Sequence, residues 1–318
     1  MRMEIDPAMM VSLRRYALLC AGLTLALMAL GGVVRATGAG LACPDWPLCF
    51  GRLIPPLEGP ILIEYGHRLL ASLVGLATVL LALFIWRRHR ADAGLRRTAV
   101  LALLLLGAQI VLGGLTVRTA LTAGLVAAHL GTAALFLAVL LLLYAMARRR
   151  AEEMPAAPGR LGGLAAAAAL VTFGQMLLGG YVSGSGAALA CPDFPLCRGA
   201  LIPPLVGPIL IHFLHRVGAL LAAVAVLLVV LAGRRAAAPL RGLTRLAAVL
   251  VVAQITLGAL NVITRVAPPV TVLHLAVATA LFGVLVVLAG LALPVRTTAP
   301  ARRWRGAVAV YLALTKPR

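Results

Sequence analysis

Negative charge is scarce in this chain. Only nine of its 318 residues are Asp or Glu, charged residues of both signs make up 12%, and aromatics make up 5%. That charged share is about half the share found in ordinary soluble domains. With 62% hydrophobic residues and a mean hydropathy of +1.04, a water-soluble fold would leave more apolar surface than its polar side chains could cover. A soluble enzyme, a secreted disulfide scaffold and a disordered regulator are all excluded.

What the chain has in place of charge is long apolar runs. A membrane crossing takes about 20 such residues, and runs at about 16–34, 60–86, 98–117, 125–147, 161–182, 208–232, 246–264 and 271–292 predict eight crossings. The first run is longer than the apolar core of a signal peptide and has an internal counterpart, so it reads as a span. The formal charge of +20 would suggest nucleic acid in a soluble protein, but here its placement decides. Of the 29 basic residues, 22 fall on one side of the predicted spans and seven on the other. This is the positive-inside pattern, and it places both termini in the cytoplasm. The expectation is a multi-pass protein of a bacterial or archaeal cytoplasmic membrane that binds no nucleic acid.

The chain is a duplication. Residues 31–71 (GGVVRATGAGLACPDWPLCFGRLIPPLEGPILIEYGHRLLA) match residues 179–219 (GGYVSGSGAALACPDFPLCRGALIPPLVGPILIHFLHRVGA) at an offset of 148, and AQIVLGGLTV at 108–117 matches AQITLGALNV at 253–262. Four spans per half is an even number, so both copies insert with the same orientation. The predicted fold is an all-α integral membrane protein, with eight transmembrane helices as two pseudo-twofold related four-helix bundles. The halves divide as 1–155 and 156–295, and 296–318 forms a cytoplasmic tail.

Ionisable residues inside spans are costly and therefore informative. Glu64 is the one clear acid there, and the histidines are His67, His129, His212, His215 and His274. His89, in the cytoplasmic string RRHR, is expected to be solvated. Aligning the halves pairs His67 with His215 and His129 with His274. Each half then has one histidine on its second span and one on its fourth, three to seven residues in, or roughly 5–10 Å below the outer boundary. Two facing imidazoles at one depth are what axial ligation of haem iron requires. Plain hydrogen bonding across helices is the simpler alternative, and zinc would want a third or fourth ligand. Gly31-Gly32, Gly113-Gly114, Gly179-Gly180 and Gly258-Ala259 recur near this level and read either as close helix packing or as room for a macrocycle. Gln109, Gln175 and Gln254 precede three of these pairs by four residues, as interhelical hydrogen bonders or as partners of the ligands.

Glu64 and His67 share a helix face, and His212 and His215 stand in the same places of the second half. The halves therefore differ by Glu against His beside an otherwise matched histidine. This suggests one haem that is worked upon and another that is held. A buried carboxylate there can act as base, proton relay or cation stabiliser, or it can simply pair with Arg68 or Arg35. Arg68 and Arg216 directly follow the histidines and read as propionate-binding or structural residues. Four of the five cysteines, Cys43, Cys49, Cys191 and Cys197, lie in outer loops on the disulfide-permissive side. They allow three pairings, and the duplication favours the local ones, Cys43–Cys49 and Cys191–Cys197, as structural staples or as redox-active pairs. Cys20 reads as an inert packing residue.

The strings RATGAGLACPDWPLC, EYGHR and LVAAHLGTA, followed by CPDFPLC, HFLHR and VLHLA, resemble the haem A synthase family over residues 11–295. The resemblance implies an oxidoreductase that converts the C8 methyl of haem O to the formyl group of haem A for terminal oxidases. It implies that His67 and His129 ligate the substrate haem O, with Glu64 as the catalytic acid. It further implies that His215 and His274 ligate a haem b cofactor, and that Cys43 and Cys49 are linked to activity. His212 competes with His215 for the ligand role, and His215 has the stronger claim because it aligns with His67. An electron donor is implied but not named. The tail string YLALTKPR is similar to the opening of haem O synthase, the prenyltransferase that makes the substrate. This raises a fusion continuing past Arg318, against the plainer reading of a short amphipathic tail. Two other functions fit the paired histidines: a dihaem b-type electron-transfer cytochrome linked to quinol, and a haem carrier.

Overall fold

In the computed structural model, residues 7–152 and 157–293 are described. The tail and its resemblance to haem O synthase lie outside these residues. Eight long helices follow one another: α1 (Pro7–Ala36), α2 (Gly59–Arg88), α3 (Ala93–Arg118), α4 (Ala123–Ala151), α5 (Leu161–Gly184), α6 (Gly207–Gly233), α7 (Ala238–Ile263) and α8 (Pro268–Ala292). All eight are long and apolar enough to cross a membrane, and the protein is a multi-pass membrane protein. Short 3-10 turns at Ala39–Leu41 and Ala187–Leu189 follow α1 and α5.

The helices outrun the apolar runs, chiefly on the arginine-rich side. α1 begins at Pro7 rather than near 16, α3 at Ala93 rather than near 98, and α7 at Ala238 rather than near 246. A helix of 30 residues is about 45 Å long, against a hydrocarbon core of about 30 Å. The extra turns stand in the headgroup layer, where Arg14, Arg15, Arg96, Arg97, Arg241 and Arg245 are tolerated. Local chemistry sets the starts. Asp92 caps α3 by accepting from the Leu95 amide at 2.9 Å, and prolines sit in the first turns of α2, α6, α7 and α8, where the missing N–H costs nothing.

α1 to α4 pack as one ring of neighbours and α5 to α8 as another. The rings meet through α1 against α8, α4 against α5, and α4 against α8. Exchanging α1 with α5 and α4 with α8 leaves this set of contacts unchanged, as a twofold relation between the halves would. α4 and α8 form the centre, with Leu137, Leu140, Leu143, Leu281, Leu285 and Leu288 all buried. Small residues bring the halves together: a Cβ on Gly290 would lie 2.9 Å from the Ala145 methyl, and one on Gly184 would lie 2.9 Å from the Ala123 Cα. Without a hydrophobic drive in lipid, such close packing is what holds membrane helices together.

His89 corrects an expectation. It is 7% exposed, its ring meets Phe84 edge-on at 5.6 Å, and its Nε2 is buried without a partner. Only residues 89–92 join α2 to α3, and so short a link turns the ring under the helix ends rather than into solvent. Burial pushes its pKa down.

Candidate functional site

The site begins with the two outer loops, which fold alike. Disulfides join Cys43 to Cys49 and Cys191 to Cys197, the local pairing that the duplication favours. Inside the first ring the Asp45 carboxylate accepts from the Phe50 amide at 2.6 Å and the Gly51 amide at 2.8 Å. Asp193 does the same for Arg198 and Gly199, at 2.6 and 2.8 Å. These are left-handed positions, with φ 55° at Phe50 and 66° at Gly51, where non-glycine residues are strained. The Asp bonds hold that turn. The Gly51 amide, followed by that of Phe50, keeps the Asp45 carboxyl below the usual carboxylate range, and Gly199 and Arg198 do so for Asp193.

The arginines after the histidines are bound to these loops. Arg68 donates to the carbonyls of Asp45 (2.8 Å), Leu48 (2.6 Å) and Cys43 (3.3 Å). Arg216 donates to those of Leu196 (2.5 Å), Asp193 (2.7 Å) and Cys191 (3.0 Å). Of the two readings of these arginines, propionate binding or structure, this geometry supports the structural one. Arg35, the other proposed partner for Glu64, reaches the Ser183 carbonyl at 2.7 Å and so ties α1 to the second half.

Glu64 is 4% exposed and uses both oxygens. One accepts from Arg68 at 2.6 Å and the other from the Cys43 amide at 2.7 Å. The carboxylate is thus fixed between α2 and the disulfide. In the second half His212 takes this place: its Nδ1 lies 3.4 Å from the Cys191 amide and 3.1 Å from the Ala187 carbonyl. His212 therefore faces the loop, whereas His215 faces the bundle.

The four aligned histidines each sit over a glycine of a neighbouring odd-numbered helix. A Cβ would meet the imidazole Cε1 at 3.2 Å for Gly31 and His67, 3.4 Å for Gly113 and His129, 2.9 Å for Gly179 and His215, and 3.2 Å for Gly258 and His274. The first glycine of each pair thus seats an imidazole rather than the macrocycle itself. The second residue packs elsewhere: Gly32 meets Leu275, Gly180 meets Leu130, and Gly114 meets the Trp46 indole of the first loop at 3.0 Å. His67 lies within electrostatic reach of His129, and His215 within reach of His274. From the starts of their helices His67 and His215 are eight residues in, and His129 and His274 six. At 1.5 Å per residue this is about 12 and 9 Å along each helix from its start.

Sequence reasoning assigned no role to Asp45, Asp193 or Trp46. The only available signal was their place in the repeated CPDxPLC string. Among the described residues no group of three or more His, Cys, Asp or Glu is placed to hold a metal ion.

Known proteins resemble the chain over most of its length. The family of cytochrome oxidase assembly proteins matches residues 14–286. A heme A synthase of Symbiobacterium thermophilum is 33% identical over 301 residues, covering 90% of this chain and 97% of the relative. That of Halalkalibacterium halodurans is 36% identical over 202 residues, covering 62% and 67%. That of Shewanella oneidensis is 30% identical over 294 residues, covering 79% and 88%. With most of its length matched and both loops and all four aligned histidines inside the match, the chain belongs to the cytochrome oxidase assembly protein family.

Proposed function

We propose that this chain is a haem A synthase, oxidising the C8 methyl of haem O to a formyl group in the membrane. One observation carries the reading: two matched histidine pairs share one bundle geometry, but only the first has a carboxylate, Glu64, locked beside it. Among the relatives, the heme A synthases of Symbiobacterium and Shewanella support this above a plain dihaem cytochrome or a haem carrier.

The residues fit the groups they would hold. Nδ1 of His67, His129 and His274 is buried with no hydrogen-bond partner, and the glycine beneath each ring leaves no Cβ to displace it. His67 and His129 would hold haem O as substrate. His215 and His274 would hold haem b, which supplies one-electron transfer when bound.

With water as the oxygen source, converting a methyl to a formyl group consumes one water, releases four protons, and passes four electrons to an external electron acceptor, through the alcohol and the hydrated aldehyde. Glu64 would accept protons as water adds to the oxidised methyl carbon. Its bond to the Cys43 amide and its ion pair with Arg68 fix where that proton goes. Preorganised groups of this kind act without reorganising during the reaction. Arg68 in turn is held by three loop carbonyls, so the loop itself sets the position of the carboxylate. By the distribution of arginine, both loops face outward and both termini lie in the cytoplasm.

The test is expression in a host that makes haem O but lacks its own haem A synthase, followed by acid extraction and chromatography of the haems. Wild type should yield haem A, and Glu64→Ala should keep bound haem while accumulating haem O. Normal haem A yield from Glu64→Ala would overturn the assignment.

A further inference from the structure

Among the described residues, the most exposed large apolar side chains are not on the helices. They are Leu53 (80%), Leu201 (79%), Ile54 and Ile202 (both 72%), and all four lie in the outer loops, shortly after the disulfide rings. Leu57, Leu205 and Val206 are exposed beside them. No charged residue stands between Arg52 and Glu58, or between Arg198 and the start of α6. Apolar surface so concentrated, and present in both halves, calls for a partner.

The height of the loops along the helices identifies that partner. The Tyr65 hydroxyl donates to the Leu53 carbonyl at 2.7 Å. A cavity of about 180 Å³ lies between the loop, at Arg52 and Leu53, and α2, at Tyr65, Leu69 and Ser72. With about 3.6 residues per turn, those three share a face of α2 turned away from His67. They lie about 9 to 20 Å along the helix from Gly59. α2 is about 45 Å long, against a hydrocarbon core of about 30 Å. Even with its whole excess on the outer side, the core would begin near Leu69, within this stretch. The first loop thus runs beside α2 rather than above it, and it continues the outer surface formed by the exposed Leu62, Leu69 and Leu73. The second loop sits at the same height, because Arg68 and Arg216 stand equally far into α2 and α6 and hold matching carbonyls.

A loop enters an apolar layer only where its backbone polar groups are few or paired. Pro55, Pro56, Pro203 and Pro204 have no N–H to satisfy. Tyr65 takes the Leu53 carbonyl, and Cys49 pairs its amide and carbonyl with Arg52, as Cys197 does with Ala200.

We infer that Leu53-Ile54 and Leu201-Ile202 are wedges set among the acyl chains of the outer leaflet, so that each disulfide loop is bound to the membrane as well as to its own helix. In the first half, lipid then holds from outside the ring that Arg68 and Glu64 hold from within. Such seating is independent of which haem the protein binds.

The test places photoreactive p-benzoylphenylalanine in the full-length chain at Ile54, at Ile202 and, as a lipid-facing reference, at Leu104 in the middle of α3, where the side chain is exposed. Membranes containing each variant are irradiated, and the purified protein is analysed by intact-mass spectrometry. A mass increase of one phospholipid is expected at both loop positions, with at least half the yield seen at Leu104. A smaller yield, or none, at either position while Leu104 reacts would place that loop outside the acyl chains and overturn the inference. A covalent dimer or an attached second protein at Ile54 or Ile202 would overturn it too, since protein rather than lipid would then cover the loop. If a loop variant fails to accumulate, wild type in phosphatidylcholine vesicles doped with a phospholipid carrying a diazirine on an upper acyl carbon takes its place. Carbene adducts should then map to residues 53–57 and 201–206, and adducts on the helices with none on these segments would refute the seating.

Discussion

Four glycines seat four histidines at four slightly different clearances, and this gives a graded prediction. Replacing each glycine by alanine adds one methyl. At Gly179 it would lie 2.9 Å from the His215 ring, and at Gly113 it would lie 3.4 Å from the His129 ring, already an ordinary contact. In Gly179→Ala the imidazole must therefore move by about 0.5 Å, toward a rotamer strained by roughly 0.5–1.5 kcal/mol. That strain corresponds to a loss of about 2- to 12-fold in affinity for whatever the ring holds. Gly31→Ala and Gly258→Ala, both at 3.2 Å, should fall between. All four sites are helical, and alanine stabilises a helix by about 1 kcal/mol over glycine, so loss of haem cannot be put down to loss of helix. The assay is haem per polypeptide and the reduced α-band of each purified variant. The ranking should run Gly179, then Gly31 and Gly258, then Gly113. If Gly113→Ala loses as much haem as Gly179→Ala, the glycines are packing positions and the seats do not set the rings.

Other outcomes follow from the loops. Arg68→Lys replaces a planar fork by a point charge that cannot span the same carbonyls and Glu64, so haem A yield should fall at least tenfold while haem b content holds; unchanged yield would separate the loop clamp from activity. Gly114→Ala would press a methyl against the Trp46 indole at 3.0 Å, and the altered tryptophan fluorescence should come with slower turnover but an unchanged haem b spectrum. Asp45 and Asp193 titrate below the usual carboxylate range. Their hold on the loops is therefore complete above about pH 4 and lost as pH falls through the lowered values. Reduction of both disulfides by a phosphine should accelerate below that pH in wild type but show no such step in an Asp45→Asn, Asp193→Asn variant.

Much of this architecture was legible in the sequence because the membrane simplifies the code. Eight apolar runs can be little other than eight spans, and a repeat at an offset of 148 residues aligns His67 with His215 and both cysteine pairs without any structure. The less legible features involve partners across helices. Spacing puts Arg68 on the same helix as Glu64, but only the fold shows its guanidinium turned into the carbonyls of the first loop. A glycine pair indicates that something large approaches. The fold shows that Gly31 admits the His67 ring and Gly32 admits Leu275 from the other half. His89 looked solvated because its neighbours are arginines, and it is buried because the turn to α3 is short. The helices run past the apolar spans for a physical reason: hydropathy marks the hydrocarbon core, and the helices continue beyond it into the headgroup layer.

If the two histidine pairs hold two different haems, the identity of the haem that each pair retains will show it. Acid-extracted haems should be compared between wild type, His67→Ala with His129→Ala, and His215→Ala with His274→Ala, all purified from cells that make haem O. The first double variant should yield haem b without haem O or haem A, and the second should lose haem b. Haem b retained in full by His215→Ala with His274→Ala, or the same haem lost from both, would contradict this division of the haems.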